Sequence, residues 1–145
     1  MIVDLHIQLI DPSAQTPSKL FTLGPEPRTV EGPQNLANRW LKLFLTRKGS
    51  HPSRREEGTE FVNLIGGNFA DLPSVEADVL DAIDDATEQL RTADRAAPYR
   101  PANERILSSS LVQFVQLPPS GAEFWVALTN VARERITVLI PYALG

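Results

Sequence analysis

A hydroxyl or thiol nucleophile needs a base within hydrogen-bond reach, and this chain offers little to build one from. It has no cysteine and two histidines, His6 and His51. His6 falls on the polar side of an alternating segment, His51 lies in a loop, and neither adjoins a nucleophile-elbow motif. Carboxylates are more plentiful. Glu76, Asp78, Asp81, Asp84, Asp85 and Glu88 follow one another with no base before Arg91. Asp81, Asp84, Asp85 and Glu88 carry the hard oxygen ligands that Ca²⁺ takes. On a helix, however, such side chains splay outward, whereas Ca²⁺ sites wrap a loop around the ion, so a solvated or partner-facing acidic surface is expected. A glycosidase needs two carboxylates across a cleft, one of them raised by an apolar environment. Glu60 and Glu123 adjoin apolar residues, but nothing in the pattern pairs them. Gly66-Gly67-Asn68 offers backbone N–H groups to an anion. No Lys-Ser/Thr follows to complete a phosphate loop, and the stretch reads as a helix terminus. The expectation is no catalytic, metal-binding or cofactor-binding residue.

The elements that would position such groups can be read along the chain. Residues 2–10 alternate, and Val3, Leu5, Ile7 and Leu9 make a purely apolar face, the pattern of a half-buried strand. Residues 12–33 hold Pro12, Pro17, Pro25, Pro27 and Pro33 with little periodicity. Proline removes donors and fixes φ, so this is an extended arm, lying either on its own surface or on a neighbouring subunit. Its one apolar anchor is Leu20-Phe21-Thr22-Leu23.

A first helix starts near Pro33 and buries Leu36, Trp40, Leu43 and Phe44 at helical spacing. Thr46-Arg47-Lys48-Gly49 ends it, with cations at the negative pole and Gly49 as a left-handed cap. Residues 58–69 form a short second helix through Phe61, Leu64 and Ile65. Residues 73–91 are the clearest helix, with Val75, Val79, Ile83, Ala86 and Leu90 on one continuous face. After a break at 96–101 the chain is β in character. A strand over 105–117 puts Leu111, Val115 and Leu117 on one face and Val112 and Phe114 on the other. Pro118-Pro119-Ser120-Gly121 has turn chemistry, a second strand covers 123–131, and a third, 133–142, is led by Ile136, Val138 and Ile140.

The fold class that follows is α+β, with three amphipathic helices packed on one side of a C-terminal antiparallel β-meander. An N-terminal strand and Pro-rich arm (residues 1–33) are additional to the α+β domain of residues 34–145, which is expected to stay folded without them. A chain of 145 residues suits one such domain. The net charge of −4 argues against a general nucleic-acid binder. No apolar run approaches the roughly 20 residues of a membrane span, and the N-terminus lacks a basic signal-peptide region. The bases Arg39, Lys42, Arg47, Lys48, Arg54 and Arg55 cluster around the first turn, opposite in sign to the third helix. Like subunits are expected to dock head to tail through that contrast.

The order of these elements carries a resemblance. Leu45-Thr46-Arg47-Lys48-Gly49, then Pro52, then Gly58-Thr59 and a short apolar helix, is similar to the baseplate wedge family of contractile tails that acts as sheath initiator, often labelled "lysozyme-like". The acidic helix and the strand meander follow in the same order, so the resemblance spans about residues 34–144. The family opens its meander near Glu-Pro-Arg-Ile. Here Asn103-Glu104-Arg105-Ile106 keeps Arg105 and Ile106 but has Asn103 at the Glu position and Glu104 at the Pro position.

The resemblance implies a structural, non-enzymatic subunit of a virion tail baseplate, assembled in the host cytoplasm. Its implied partners are the tail sheath protein, other wedge and hub proteins, and copies of itself within a sixfold assembly, with no nucleic acid, membrane or cofactor. Arg47, Lys48, Gly49, Gly58, Thr59 and Arg105 are the partner-binding residues it carries over. Sheath initiation would proceed by strand addition at an exposed edge. The candidates are the strand of Val3, Leu5 and Ile7 and the strand of Ile136, Val138 and Ile140. The equivalent subunit of a bacterial contractile injection system is an alternative within the same class. The family label raises a second alternative, a cell-wall hydrolase that would depend on Glu104 or Glu123. A small acidic module with an unrelated partner is the third.

Overall fold

The computed structural model describes residues 6–7, 21–22, 31–64, 72–117 and 121–143. In chain order the elements are β1 (His6–Ile7), β2 (Phe21–Thr22), α1 (Pro33–Leu45), α2 (Phe61–Leu64), α3 (Leu72–Arg95), β3 (Ile106–Leu117), β4 (Gly121–Asn130) and β5 (Arg135–Ala143). A single 3₁₀ turn, Ala102–Glu104, precedes β3. The chain is α+β: three helices and a three-stranded antiparallel sheet of order β3-β4-β5, with helices packed against the sheet.

Periodicity explains the helices. Val75, Val79, Ile83, Ala86 and Leu90 of α3 are all buried. The helix runs one turn past residue 91, to Arg95, because the first proline to oppose it is Pro98. In α1 burial is broader than a stripe, taking in Leu36, Ala37, Trp40, Leu41 and Phe44 together with Asn35 and Asn38, while Leu43 is only partly buried. Helix and sheet meet in an aromatic cluster. Trp40 stacks on Phe44 at 4.9 Å, and Phe44 meets Phe61 at 4.5 Å. Both phenylalanines then approach Phe124 edge-on, at 5.9 and 5.6 Å, a preferred aromatic geometry. Phe124, Val126 and Leu128 of β4 and Ile136, Val138 and Ile140 of β5 complete this core. On the other side of the sheet Ala127 and Leu139 are each 2% exposed, with Trp125 packed on Leu139.

Four expectations change. Leu111 and Phe114 both pack on the core, rather than on opposite faces, while Val112 is 46% exposed. Leu111 pairs with Val126 and Gln113 with Trp125, so Val112 is an extra residue. That β-bulge reverses the alternation beyond it. Gly49 does not cap α1: the cap is Thr46, in extended conformation, and Gly49 sits at φ +82° inside a turn closed by Ser50 N–H to Arg47 O. The third strand begins at Arg135, with Arg133 left in the preceding turn. Finally, β1 takes a partner from within the segment read as an extended arm. It pairs with β2, His6 opposite Thr22 and Ile7 opposite Phe21, as a separate two-stranded sheet. Val3, Leu5, Ile65, Gly66-Gly67-Asn68 and the turn residues 118–120 lie outside the described residues.

Candidate functional site

Five of the six motif residues come together as a clasp below the C-terminal end of α1. Arg47 and Thr59 form a parallel bridge. Thr59 N–H donates to Thr46 O at 2.8 Å and Lys48 N–H to Thr59 O at 3.1 Å. The Thr59 hydroxyl donates to Phe44 O at 2.7 Å, supplying a partner to one of the carbonyls that a helix end leaves unpaired. The side-chain amide of Gln89 on α3 then holds both polar groups of Gly58: Gly58 N–H donates to Oε1 at 2.9 Å, and Nε2 donates to Gly58 O at 2.8 Å. Gly58 and Thr59 are buried, so the surface this motif offers a partner is that of Arg47, Lys48 and Gly49.

Arg105 is not part of the clasp. It follows the 3₁₀ turn that packs at the N-terminal end of α1, and a helix of 13 residues separates the two, about 20 Å. Its carbonyl accepts Val131 N–H at 2.9 Å. The neighbouring Glu104 carboxylate accepts Gly32 N–H and Asn35 Nδ2, both at 2.9 Å. Glu104 thus caps α1 in place of a local cap, and its negative charge suits the helix N-terminus. We expect Glu104→Ala to cost about 1–2 kcal/mol, read as a lower urea midpoint. If stability is unchanged, Glu104 does not act as this cap. Glu104 precedes β3 and Glu123 pairs near its far end, opposite Val115. That places the two on the order of 25 Å apart along the strand, too far to flank a single glycosidic bond.

The charge contrast between the first turn and α3 is spent within the chain as well as offered outward. Arg39 pairs with Asp94 at 2.5 Å, and Lys48 lies 3.5 Å from Asp85. Glu76, Asp78, Asp81, Asp84 and Glu88 are exposed along α3. Among the described residues no three His, Cys, Asp or Glu side chains group as a metal site, and no helix is long and apolar enough to cross a membrane.

The β5 edge has the geometry for strand addition. Asn130 N–H donates to Glu134 O at 3.0 Å across the β4–β5 turn. Alternation in an antiparallel ladder then turns residues 136, 138 and 140 toward β4, and the main-chain groups of Arg135, Thr137 and Leu139 outward. Pro141, which has no N–H to give, falls on the outward set, where proline is tolerated. Among the described residues no strand pairs with that edge. The side chains of Ile136, Val138 and Ile140 point into the core, so this edge offers its backbone.

The residues sequence reading missed are Gln89, Asp94 and Asn130, polar groups that each bond a residue far along the chain, Gly58, Arg39 and Asn103 respectively. No protein-family model, curated protein or solved structure matches this chain.

Proposed function

We propose that this chain is a non-catalytic structural subunit of a contractile tail baseplate. In the virion it joins wedge and hub proteins to the tail sheath, and it templates the first sheath ring by strand addition. The observation that carries the reading is the outward edge of β5, a row of main-chain donors and acceptors on Arg135, Thr137 and Leu139 backed by a rigid core. The motif order that resembles the sheath-initiator family supports it. So does the clasp, which presents Arg47 and Lys48 at the surface while Gly58 and Thr59 hold them in place. In this reading residues 1–33 are a strand and Pro-rich arm added to the domain, and six copies are arrayed by the wedge partners.

The test mixes the purified protein with the tail-sheath subunit of the same particle and watches assembly by electron microscopy. The wild-type chain is expected to seed short rings or tubes. Thr137→Pro removes an outward N–H on the edge that already tolerates Pro141, so it is expected to keep its fold by circular dichroism and lose the seeding. Seeding by a folded Thr137→Pro chain would count against the β5 edge, and no seeding by the wild-type chain on preassembled wedges would count against the role.

A further inference from the structure

A groove of about 440 Å³ lies between residues 54–57 and α3. Leu43 and Ala93 give it an apolar floor, and Glu56, Glu57, Asp85 and Glu88 an acidic rim. Three of these carboxylates face a cation of their own chain, Glu57 with Arg54 at 3.0 Å, Asp85 with Lys48 at 3.5 Å and Glu88 with Arg91 at 2.5 Å, while Glu56 has no ion pair among the described residues. Past Asp85 a second hollow of about 340 Å³ continues between α2 and α3, edged by Glu60, Asp78 and Asp81. The three ion pairs are solvent-exposed and individually weak. With Glu56, Glu60, Asp78 and Asp81 the two hollows keep an excess of negative charge, so an occupant that is cationic and partly apolar suits the rim and removes the floor from water together.

The same chain carries such an occupant at the β4–β5 turn. Val131 is 39% exposed there, Arg133 and Arg135 are exposed, and no carboxylate among the described residues pairs with either arginine. The turn is held firmly. The Asn130 amide is fully buried, donates to Asn103 O at 3.0 Å and accepts Glu134 N–H at 2.8 Å. Arg133 itself sits at φ +69°, where glycine is the usual residue. The tip cannot fold back into its own groove. It packs beside Arg105 and the start of β3, and Ile106 N–H is bound to Asp94. Asp94 follows Asp85 by about two and a half helical turns, which puts it on the opposite side of α3 from the groove.

We infer that the acidic groove of one copy receives the Val131–Arg135 turn of a second copy, the arginines meeting the carboxylate rim and Val131 covering the apolar floor. The contact is heterologous, so it propagates head to tail and closes into a ring where the rotation allows. It goes beyond the baseplate reading and does not depend on it, since it is read in the isolated chain without sheath or wedge proteins.

Sedimentation of the full chain tests it. The wild-type chain is expected to self-associate with rising concentration at low salt and to return to monomer at high salt, because the contact is charge-driven. Arg133→Glu with Arg135→Glu, and separately Glu56→Lys with Asp85→Lys, should each weaken association at least tenfold with melting curves that still report a folded chain. Mixing the two double variants should restore it, since one keeps the groove and the other the tip. Arg133→Gly should raise the melting temperature yet weaken association, separating the tip's role between copies from its role in the fold. A wild-type chain that stays monomeric at every salt, or association that survives both double variants, overturns the inference. Capture of an arginine-bearing peptide by a chain that remains monomeric overturns it too, and gives the groove to a foreign occupant.

Discussion

Gly58→Ala is expected to lower stability by about 3–5 kcal/mol and the thermal midpoint by about 10–15 °C. Two effects add. Gly58 sits at φ +106°, a conformation that L side chains rarely adopt. A Cβ built there would lie 2.9 Å from Thr46 C and 3.1 Å from Arg47 C, and closer still to Thr46 O. Backbone cannot step aside like the end of a flexible side chain, so the two arms of the clasp must part. The bonds at risk are Thr59 N–H to Thr46 O and Lys48 N–H to Thr59 O, together with the two from Gln89. Gly49→Ala is the control. Its φ of +82° carries the backbone penalty, but nothing lies within 4 Å of its Cβ, so a loss of only about 1 kcal/mol is expected. Urea denaturation of both variants reads the difference. Equal losses would mean that the close approach at Gly58 is not what holds the clasp. Because the clasp sets the backbone of Arg47 and Lys48, a folded Gly58→Ala chain should also bind the proposed wedge partners less well.

Arg39→Ala is the second large effect, an expected loss of about 3–5 kcal/mol. Asp94 is 5% exposed, and its carboxylate is shared between Arg39, at 2.5 Å from Oδ1, and Ile106 N–H, at 2.8 Å from Oδ2. Arg39 also donates to Glu104 O at 2.9 Å, so a single guanidinium ties α1 to α3 and to the turn before β3. Without it the carboxylate stays buried, with Arg100 Nε at 3.7 Å as a poor substitute. An uncompensated buried charge costs more than the lost contact alone. Asp94→Asn in the Arg39→Ala background removes that charge and keeps an oxygen for Ile106 N–H, so the double variant should recover part of the loss. Strictly additive losses in this cycle would show that the two groups do not act as a pair. Arg39→Lys should not rescue fully, because a single ammonium cannot span both acceptors in the guanidinium's fork.

Much of the scaffold was legible because it depends on burial, and burial leaves a period in the sequence. Val75, Val79, Ile83, Ala86 and Leu90 required a helix with one inward face, and Ile136, Val138 and Ile140 required a strand. The site was less legible. Gly58 and Thr59 stood out by type and order, yet their role, closing on Thr46 and Gln89, is a contact across 31 residues between Gly58 and Gln89 that no local pattern records. Asp94 lies beyond the helix expected over residues 73–91, and nothing beside it in the sequence singles it out. Only the approach of Arg39 and of the β3 backbone makes it a buried junction. Lys48 and Arg39 were read as surface charge for a neighbour and prove to be answered within the chain.

By itself the sequence determined the helices, the meander and the apolar residues of the core, since each follows from spacing and from where proline and glycine interrupt it. Tertiary structure alone decided the rest. The bulge at Val112 exchanges the faces of β3 because β4 fixes the pairing on either side of it. β1 takes β2 rather than the meander, a choice between two apolar partners that alternation cannot rank. The polar junctions at Asp94, Glu104 and Asn130 exist only where folding brings a distant donor to a waiting oxygen. Local propensity sees neighbours in the chain, and these contacts are between neighbours in space.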